Sequence, residues 1–514
     1  MKPIRLMRGF LTVGAWTLLS RIAGFARDVQ TANFLGTGPM AEAFLVAFSL
    51  PNMFRRFFAE GAFNAAFVPI FSKKLEEEGD ARDFAEDAFT GLALVVAIFS
   101  VIAMIGMRGL VLAMASGFAG DRRLDLAIEY GNICFPYIFF ISLTALLSGL
   151  LNAGGRFAAA AGAPVVLNVI FLAAMAIAHR MGWDMGLTLS WATPLIGFLQ
   201  LAVVWIAAWR MGFPLRFRRP RFTVDLRRLL AIAGPSVLAG GVVQINLLVG
   251  RQVGSHFDGA IAWLNYADRL YQLPLGVVGI AIGIVLLPDI SRRLKAEDVK
   301  GSQYALSRAT EFALFLTIPA AVALMVIPGP LISVLFERGE FTAADTRPTA
   351  LTLAVYGAGL PAFVMQKVLQ PLYFAREDTR TPFHFAIHSM IVNAALALGL
   401  MPFVGFIAAA LGTTLSGWTM TLQLWWGSRR MGEAARADTR LRARVPRIAL
   451  ASAVMGLVLY LAEQRMAAML TPFGHRYVGL TLLCLIGFAA YGLAAFVTGA
   501  FRLSDFRGAA AARS

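Results

Sequence analysis

Within the apolar stretch WTLLSRIAGFARDVQTANFL, residues 16–35, stand Arg21, Arg27 and Asp28. On a helix of 3.6 residues per turn, Thr17, Arg21, Gly24, Asp28 and Thr31 share a stripe about 80° wide, with Arg27 on its flank. The next apolar stretch carries Glu42 and then, directly after Pro51, Asn52, Arg55 and Arg56. Far along the chain, Asn265, Asp268, Arg269 and Gln272 recur at i, i+3, i+4 and i+7, again one helical face, which Gly276, Gly279 and Gly283 continue beyond Pro274. A guanidinium is a planar fork of donors that never loses its charge, and it matches the paired oxygens of a carboxylate or phosphate. The arginines outnumber their candidate partners Asp28, Glu42 and Asp268, so the group as a whole is basic and suits an anionic ligand.

These charges are expensive where they stand. A charged side chain at the centre of a membrane helix costs about 2.5–3.5 kcal/mol on insertion scales, so Arg21, Arg27, Arg55 and Arg269 left unpaired in lipid would together cost roughly 10 kcal/mol. That is comparable with the whole stability of a domain. The expectation is a water-filled cavity that the arginines line, with internal ion pairing to Asp28, Glu42 and Asp268 as the structural alternative. Pro51 removes a backbone donor inside its helix, which a membrane tolerates only beside protein or water. Arg251 and Lys367 are further intramembrane cations, and Arg251 stands near enough to a helix end to snorkel.

The elements that must hold these residues are membrane spans. The chain has 514 residues, 58% of them hydrophobic and only 15% charged, with a mean hydropathy of +0.69. Apolar windows of about 20 residues recur along its length, each long enough to cross roughly 30 Å of hydrocarbon. The pattern predicts an all-α polytopic membrane protein of about 14 spans, at 9–35, 39–72, 84–112, 125–152, 158–180, 186–211, 226–252, 258–291, 303–335, 345–374, 381–401, 405–428, 445–463 and 477–501. The basic start lacks a small-residue cleavage site after a short apolar core, so the first run reads as a span and not as a cleaved signal.

Charge orients the spans. Loops on the side of the termini, among them SKKLEEEGDAR, RMGFPLRFRRPRFTVDLRR and SRRMGEAARADTRLRARVPR, hold about 31 Lys and Arg, against about 7 on the other side. Positive loops stay inside, which predicts both termini in the cytoplasm. The same asymmetry accounts for most of the net charge of +16 and calls for contact with anionic membrane lipids, not nucleic acid.

The chain also repeats. LPNMFRRFFAEGAFNAAFVPIFSKKLEEEGD from Leu50 and LPLGVVGIAIGIVLLPDISRRLKAED from Leu273 share a Leu-Pro start, a glycine-containing apolar helix, a second proline and a Ser-basic-basic-Leu end. Pro51 and Pro274, Pro136 and Pro361, and Pro164 and Pro382 are separated by nearly one offset. A duplicated six-helix unit follows, its copies equally oriented because six is even. The predicted organisation is an N-terminal six-helix lobe over 1–215, a C-terminal six-helix lobe over 216–430, and two extra helices over 431–514. Aligning Arg8 with Arg228 sets Arg21 against Gly241 and Arg27 against Leu247, so the second copy lacks both arginines. Two like-oriented bundles are a common plan for alternating-access transporters.

Other chemistry is poorly supported. His384 and His388 in HFAIH stand at i and i+4, but no third ligand or HExxH glutamate accompanies them, so they read as polar helix residues with no metal. GxxxxGK[ST] is absent, which argues against ATP hydrolysis by this chain. Cys134 and Cys484 lie in apolar runs and read as small core residues. No catalytic residues, metal ligands or cofactor are expected, and the driving force falls to membrane potential or a monovalent cation.

The segments SRIAGFARD, LPNMFRRFFAEGAFNAAFVPIF, FPYIFFISLTALLSGLLNAGGRF, YADRLYQLPLGVVGIAIGIVLLP and FERGEFTAADT resemble the bacterial lipid II flippase family, MurJ or MviN, of the multidrug/oligosaccharidyl-lipid/polysaccharide exporter superfamily. The resemblance covers nearly the whole chain. It implies fourteen helices, two six-helix lobes, and a cationic central cavity that moves the lipid-linked peptidoglycan precursor from the cytoplasmic to the outer leaflet of the inner membrane, in the service of cell-wall synthesis and cell shape. The family's cavity arginines carry over onto Arg21, Arg27, Arg55 and Arg269, and Asp28, Glu42, Asn52, Arg56, Asn265, Asp268 and Gln272 join them as candidate substrate-binding residues. Gln272 stands where some relatives have a carboxylate, and Ser49 where a basic residue can occur. The last two helices are linked in the family to a groove for the lipid tail, and here Tyr477–Phe501 carries no charge. The expected partners are lipid II, membrane lipids and other cell-wall synthesis proteins, with the flippase itself a monomer. A flippase for another polyprenyl-pyrophosphate-linked glycan remains open on charge alone. A drug/cation antiporter of the same superfamily would want carboxylates in its cavity.

Overall fold

The computed structural model describes residues 3–58, 62–76, 80–218, 223–224, 227–229, 231, 248–471 and 475–501. Among them the regular elements are helices. In chain order the helices are α1 (Pro3–Leu35), α2 (Pro39–Phe58), α3 (Ala62–Glu76), α4 (Ala81–Ile105), α5 (Met107–Met114), α6 (Arg122–Cys134), α7 (Tyr137–Ala153), α8 (Ala158–Met181), α9 (Met185–Arg210), α10 (Ala260–Lys295), α11 (Val299–Val326), α12 (Pro328–Phe336), α13 (Ala343–Phe374), α14 (Arg380–Val404), α15 (Ile407–Ser428), α16 (Thr439–Met466) and α17 (Arg476–Val497). Extended pairing among the described residues is limited to one bridge between Arg338 and Phe341. Nine stretches of helix among them are long and apolar enough to cross a membrane, so the chain is a multi-pass all-α membrane protein.

Helix-breaking residues set the finer segmentation. The run expected at 84–112 divides at Gly106, the one at 125–152 at Phe135 and Pro136, and the one at 303–335 at Ile327, where Pro328 opens α12. Proline is tolerated at a helix start because its missing N–H would be unpaired there anyway. Pro51 in α2 and Pro274 in α10 end nothing: both helices run through them. Most of the run expected at 226–252, Gly241 and Leu247 included, lies outside the described residues.

The chain forms two compact units. One comprises Met1–Ala262 with Arg338–Phe341, the other Trp263–Glu337 with Thr342–Ser514. In lipid, apolar side chains gain little by leaving one apolar medium for another, so helices associate through close packing and interhelical hydrogen bonds. The first unit shows both. Phe67 stacks on Phe71 and on Phe84 at 5.5 Å each, and Phe54, Phe99 and Phe135 form a second aromatic knot. The buried Gln200 amide donates to the Ala163 carbonyl at 2.7 Å and accepts from the Tyr137 hydroxyl at 3.3 Å. In the second unit Gln366 donates to the Gly417 carbonyl at 2.9 Å, Tyr373 to Leu424 at 2.7 Å and Thr414 to Val355 at 2.8 Å, each joining α13 to α15. The outer faces are the reverse of a soluble protein's: along α4, Leu94, Ile98, Val101 and Ile105 form an exposed apolar stripe at helical spacing, as a lipid-facing surface requires.

Charge clusters join neighbouring elements. Beyond α9, Arg218 reaches Asp83 at 2.8 Å and the buried Glu86 at 2.9 Å, and Arg82 meets Glu86 at 3.1 Å. In the second unit the Glu311 carboxylate of α11 is gripped by Arg308, by Arg444 of α16, and by Arg440 at 3.1 Å. Arg308 also pairs with Asp438, whose carboxylate caps α16 by accepting the Leu441 N–H at 2.6 Å.

Candidate functional site

In the first unit, α1 presents its charged stripe beside α8. Gly24 faces α8: a Cβ there would stand 3.5 Å from the Asn168 side chain, an ordinary van der Waals contact. Asn168 is buried and donates to the Ser20 carbonyl at 3.0 Å. One and two turns further on, the Arg27 guanidinium carbon lies 6.0 Å from the centre of the Phe171 ring, and the Thr31 hydroxyl contacts both the Arg27 carbonyl at 2.9 Å and the Met175 sulfur at 3.8 Å. Part of the stripe predicted to face a cavity is therefore a helix–helix contact. Arg21, on the same stripe, is exposed.

Arg27 is paired. Its Nε and Nη2 donate to the same oxygen, Asp28 Oδ1, at 3.1 and 2.6 Å, with the two side chains only 15% and 14% exposed. Consecutive residues on a helix point in different directions, so both side chains must bend toward a common point to meet. Ion pairing, the structural alternative, accounts for this arginine as the chain stands.

The rest of this group is carried by α2. Asn52 donates to the Phe48 carbonyl at 2.8 Å, and Ser49 to Leu45 at 2.5 Å. Arg55 is half-buried, while the Arg56 side chain lies outside the described residues. Glu42, a candidate substrate-binding residue and on the alternative reading a partner for the arginines, is 1% exposed and both its oxygens are engaged: Oε2 accepts from Arg123 Nη1 at 2.9 Å and Oε1 from the Ile261 N–H at 3.0 Å. Ten residues separate it from Asn52, about 15 Å along a helix. Arg123 also pairs with Asp121 and, at 3.2 Å, with Asp258, and its guanidinium lies 4.7 Å from the Phe118 ring centre. The span expected at 125–152 begins after Arg123, whereas α6 begins at Arg122. The signal available was Asp121, a helix-capping residue just before Arg122 and Arg123, which places both arginines in the first turn of a helix.

In the second unit, α10 carries Asn265, Asp268 and Arg269, all half-buried, and Gln272, which is exposed. Asp268 accepts a hydrogen bond from Gln272, the i, i+4 pair implied by their spacing. Behind them Tyr271 is buried against Tyr356 and Phe363 of α13, at ring distances of 5.6 and 6.0 Å. The side chains of residues 279–285 lie outside the described residues. His384 and His388 are both exposed on α14, and no group of three or more His, Cys, Asp or Glu among the described residues could hold a metal.

Each unit thus carries half-buried guanidinium groups on its helices, one of them, Arg27, held by its own neighbour, and a guanidinium is chemically suited to an anion. Comparison with known proteins places this arrangement in context. The family model described as "Lipid II flippase MurJ" matches residues 31–478. A relative from Rhizobium tropici named "Probable lipid II flippase MurJ" is 44% identical, the match covering 96% of this chain and 94% of that protein. Among solved structures, a lipid II flippase MurJ in an inward closed conformation superposes with a TM-score of 0.79 at 26% identity, covering 95% of this chain and 98% of its own. A multidrug resistance MATE family transporter of the MOP superfamily, inward-facing, shares the fold at 15% identity and a TM-score of 0.66, over 82% of this chain and 98% of its own. With most of its length matched and a near-full-length relative well above the similarity that chance allows, this multi-pass membrane chain belongs to the lipid II flippase family MurJ.

Proposed function

We propose that this chain translocates lipid II from the cytoplasmic to the outer leaflet of the bacterial inner membrane by alternating access, with both termini in the cytoplasm. The observation that carries the reading is Arg27, a guanidinium kept within a spanning helix of a chain that belongs to this family. Lipid II joins a diphosphate to a large polar sugar–peptide head and a polyprenyl tail. Arginines within the membrane can hold the diphosphate while the tail stays in lipid, and no bond need be made or broken. Arg21, Arg27 and Arg55, with Arg269, are proposed to supply this grip, and Asn52, Arg56, Asn265, Asp268 and Gln272 to bind neighbouring parts of the head. Whatever drives the cycle must act differently on its two end states, and we assign that role to membrane potential or a monovalent cation.

A reconstituted assay tests the reading. Purified protein in vesicles should flip lipid II, and should do so faster than it flips a sugar-free polyprenyl pyrophosphate. Collapsing the potential and ion gradients should arrest flipping, whereas removing ATP at a held potential should not. Equal movement of both lipids in protein-free vesicles, or no movement of lipid II with the protein present, refutes the assignment.

A further inference from the structure

The Arg27–Asp28 pair has a geometry that bears on how a bound anion leaves. Both guanidinium donors on one edge of Arg27, Nε and Nη2, converge on the single oxygen Asp28 Oδ1. That edge is one of the two along which a guanidinium receives the paired oxygens of a phosphoryl group. The pair sits against Phe171 and is only 15% and 14% exposed, so water screens it weakly. Asp28 therefore holds, from within the chain, the place that a phosphoryl oxygen would take.

We propose that Asp28 is an internal competitor for the Arg27 guanidinium: the substrate's phosphoryl group displaces it on binding, and its return to Arg27 expels the substrate on release. The inference rests on the diphosphate-binding role given to Arg27 above and assigns Asp28 a distinct part in it. Two effects have the same sign. Binding must first break a charge-assisted pair, and the displaced carboxylate then stands beside the phosphate as a like charge. Both weaken binding, and both favour release. A transporter gains from this, because a ligand held too tightly in one state is not passed on. The alternative is that Asp28 only orients the Arg27 fork, in which case removing its charge weakens binding.

Asp28→Asn separates the two, since it keeps the size and an acceptor oxygen but removes the charge. The probe is inorganic pyrophosphate, titrated against detergent-purified full-length protein, with lipid II flipping measured in parallel. Competition predicts about tenfold tighter pyrophosphate binding, about 1.4 kcal/mol, a lower half-saturating lipid II concentration, and a lower maximal flipping rate. Asp28→Glu, which restores the charge, should return all three quantities toward wild type. Weaker or unchanged pyrophosphate binding in Asp28→Asn, with normal accumulation and melting, overturns the proposal while leaving the diphosphate site standing, provided Arg27→Ala still loses binding. If wild-type protein binds no pyrophosphate, or Arg27→Ala binds it equally well, the site reading fails and this inference fails with it.

Discussion

Replacing Arg123 by methionine tests the buried network at the start of α6. Glu42 is 1% exposed and the Arg123 side chain 7% exposed, so Arg123→Met leaves a carboxylate buried among protein atoms with backbone N–H groups, Ile261 among them, but no counter-charge from Arg123. Breaking a buried pair from one side costs about 3–5 kcal/mol. Loss of the guanidinium over Phe118 adds roughly 0.5–2 kcal/mol, and the retained backbone hydrogen bond offsets part of the total, about 1 kcal/mol. A net loss of about 2.5–6 kcal/mol should lower the melting temperature of detergent-purified protein by several degrees, on the order of 5 °C or more. Glu42→Gln should cost less, because Arg123 keeps Asp121 close by, while Asp258 is 93% exposed and contributes little. The double variant Glu42→Gln/Arg123→Met should melt above Arg123→Met alone, since the stranded charge is gone. If Arg123→Met melts within a degree of wild type, or the double variant melts no higher than it does, the network does not hold this end of the unit together and the reasoning fails.

Arg27→Ala should abolish support of growth while the protein still accumulates in the membrane, and Arg27→Lys should rescue only partly, since an ammonium keeps the charge but loses the fork; normal growth of Arg27→Ala at normal protein levels would remove this arginine from the substrate site. A cysteine at Gly38, which is exposed with open space around the Cβ position, should react with an impermeant thiol reagent added outside whole cells, whereas one at the exposed Lys300 should react only after permeabilisation; the opposite pattern inverts the proposed topology. Asp378, between α13 and α14, accepts the Thr381 N–H at 2.9 Å, and this bond, with help from the Thr381 hydroxyl, holds its carboxyl below the usual value of 3.8. A depressed carboxyl stabilises the fold above its unfolded value and loses that contribution as pH falls through its folded one, so the melting difference between wild type and Asp378→Asn should be present at neutral pH and shrink below about pH 4; a difference that grows with acid contradicts the capping role.

Much of this protein was legible without coordinates. Apolar windows of span length declared a helical membrane protein, because a backbone in hydrocarbon must satisfy its own hydrogen bonds. The helical period placed Thr17, Arg21, Gly24, Asp28 and Thr31 on one face, and Asp268 and Gln272, which are hydrogen-bonded in the structure, on one face of another helix. These are local consequences of 3.6 residues per turn. The partner of that face was not local. Gly24 and Thr31 meet Asn168 and Met175 across more than a hundred residues of chain, so only the packed unit could show that α8 covers part of the stripe. The same limit explains Glu42. Its charge and its place in an apolar run were plain, but its partner Arg123 lies 81 residues away, and many arginines in the sequence were equally eligible. A buried carboxylate takes the guanidinium that geometry brings within about 3 Å with its remaining oxygen satisfied, and that is a property of the folded arrangement of α2 and α6, which no spacing along either helix contains.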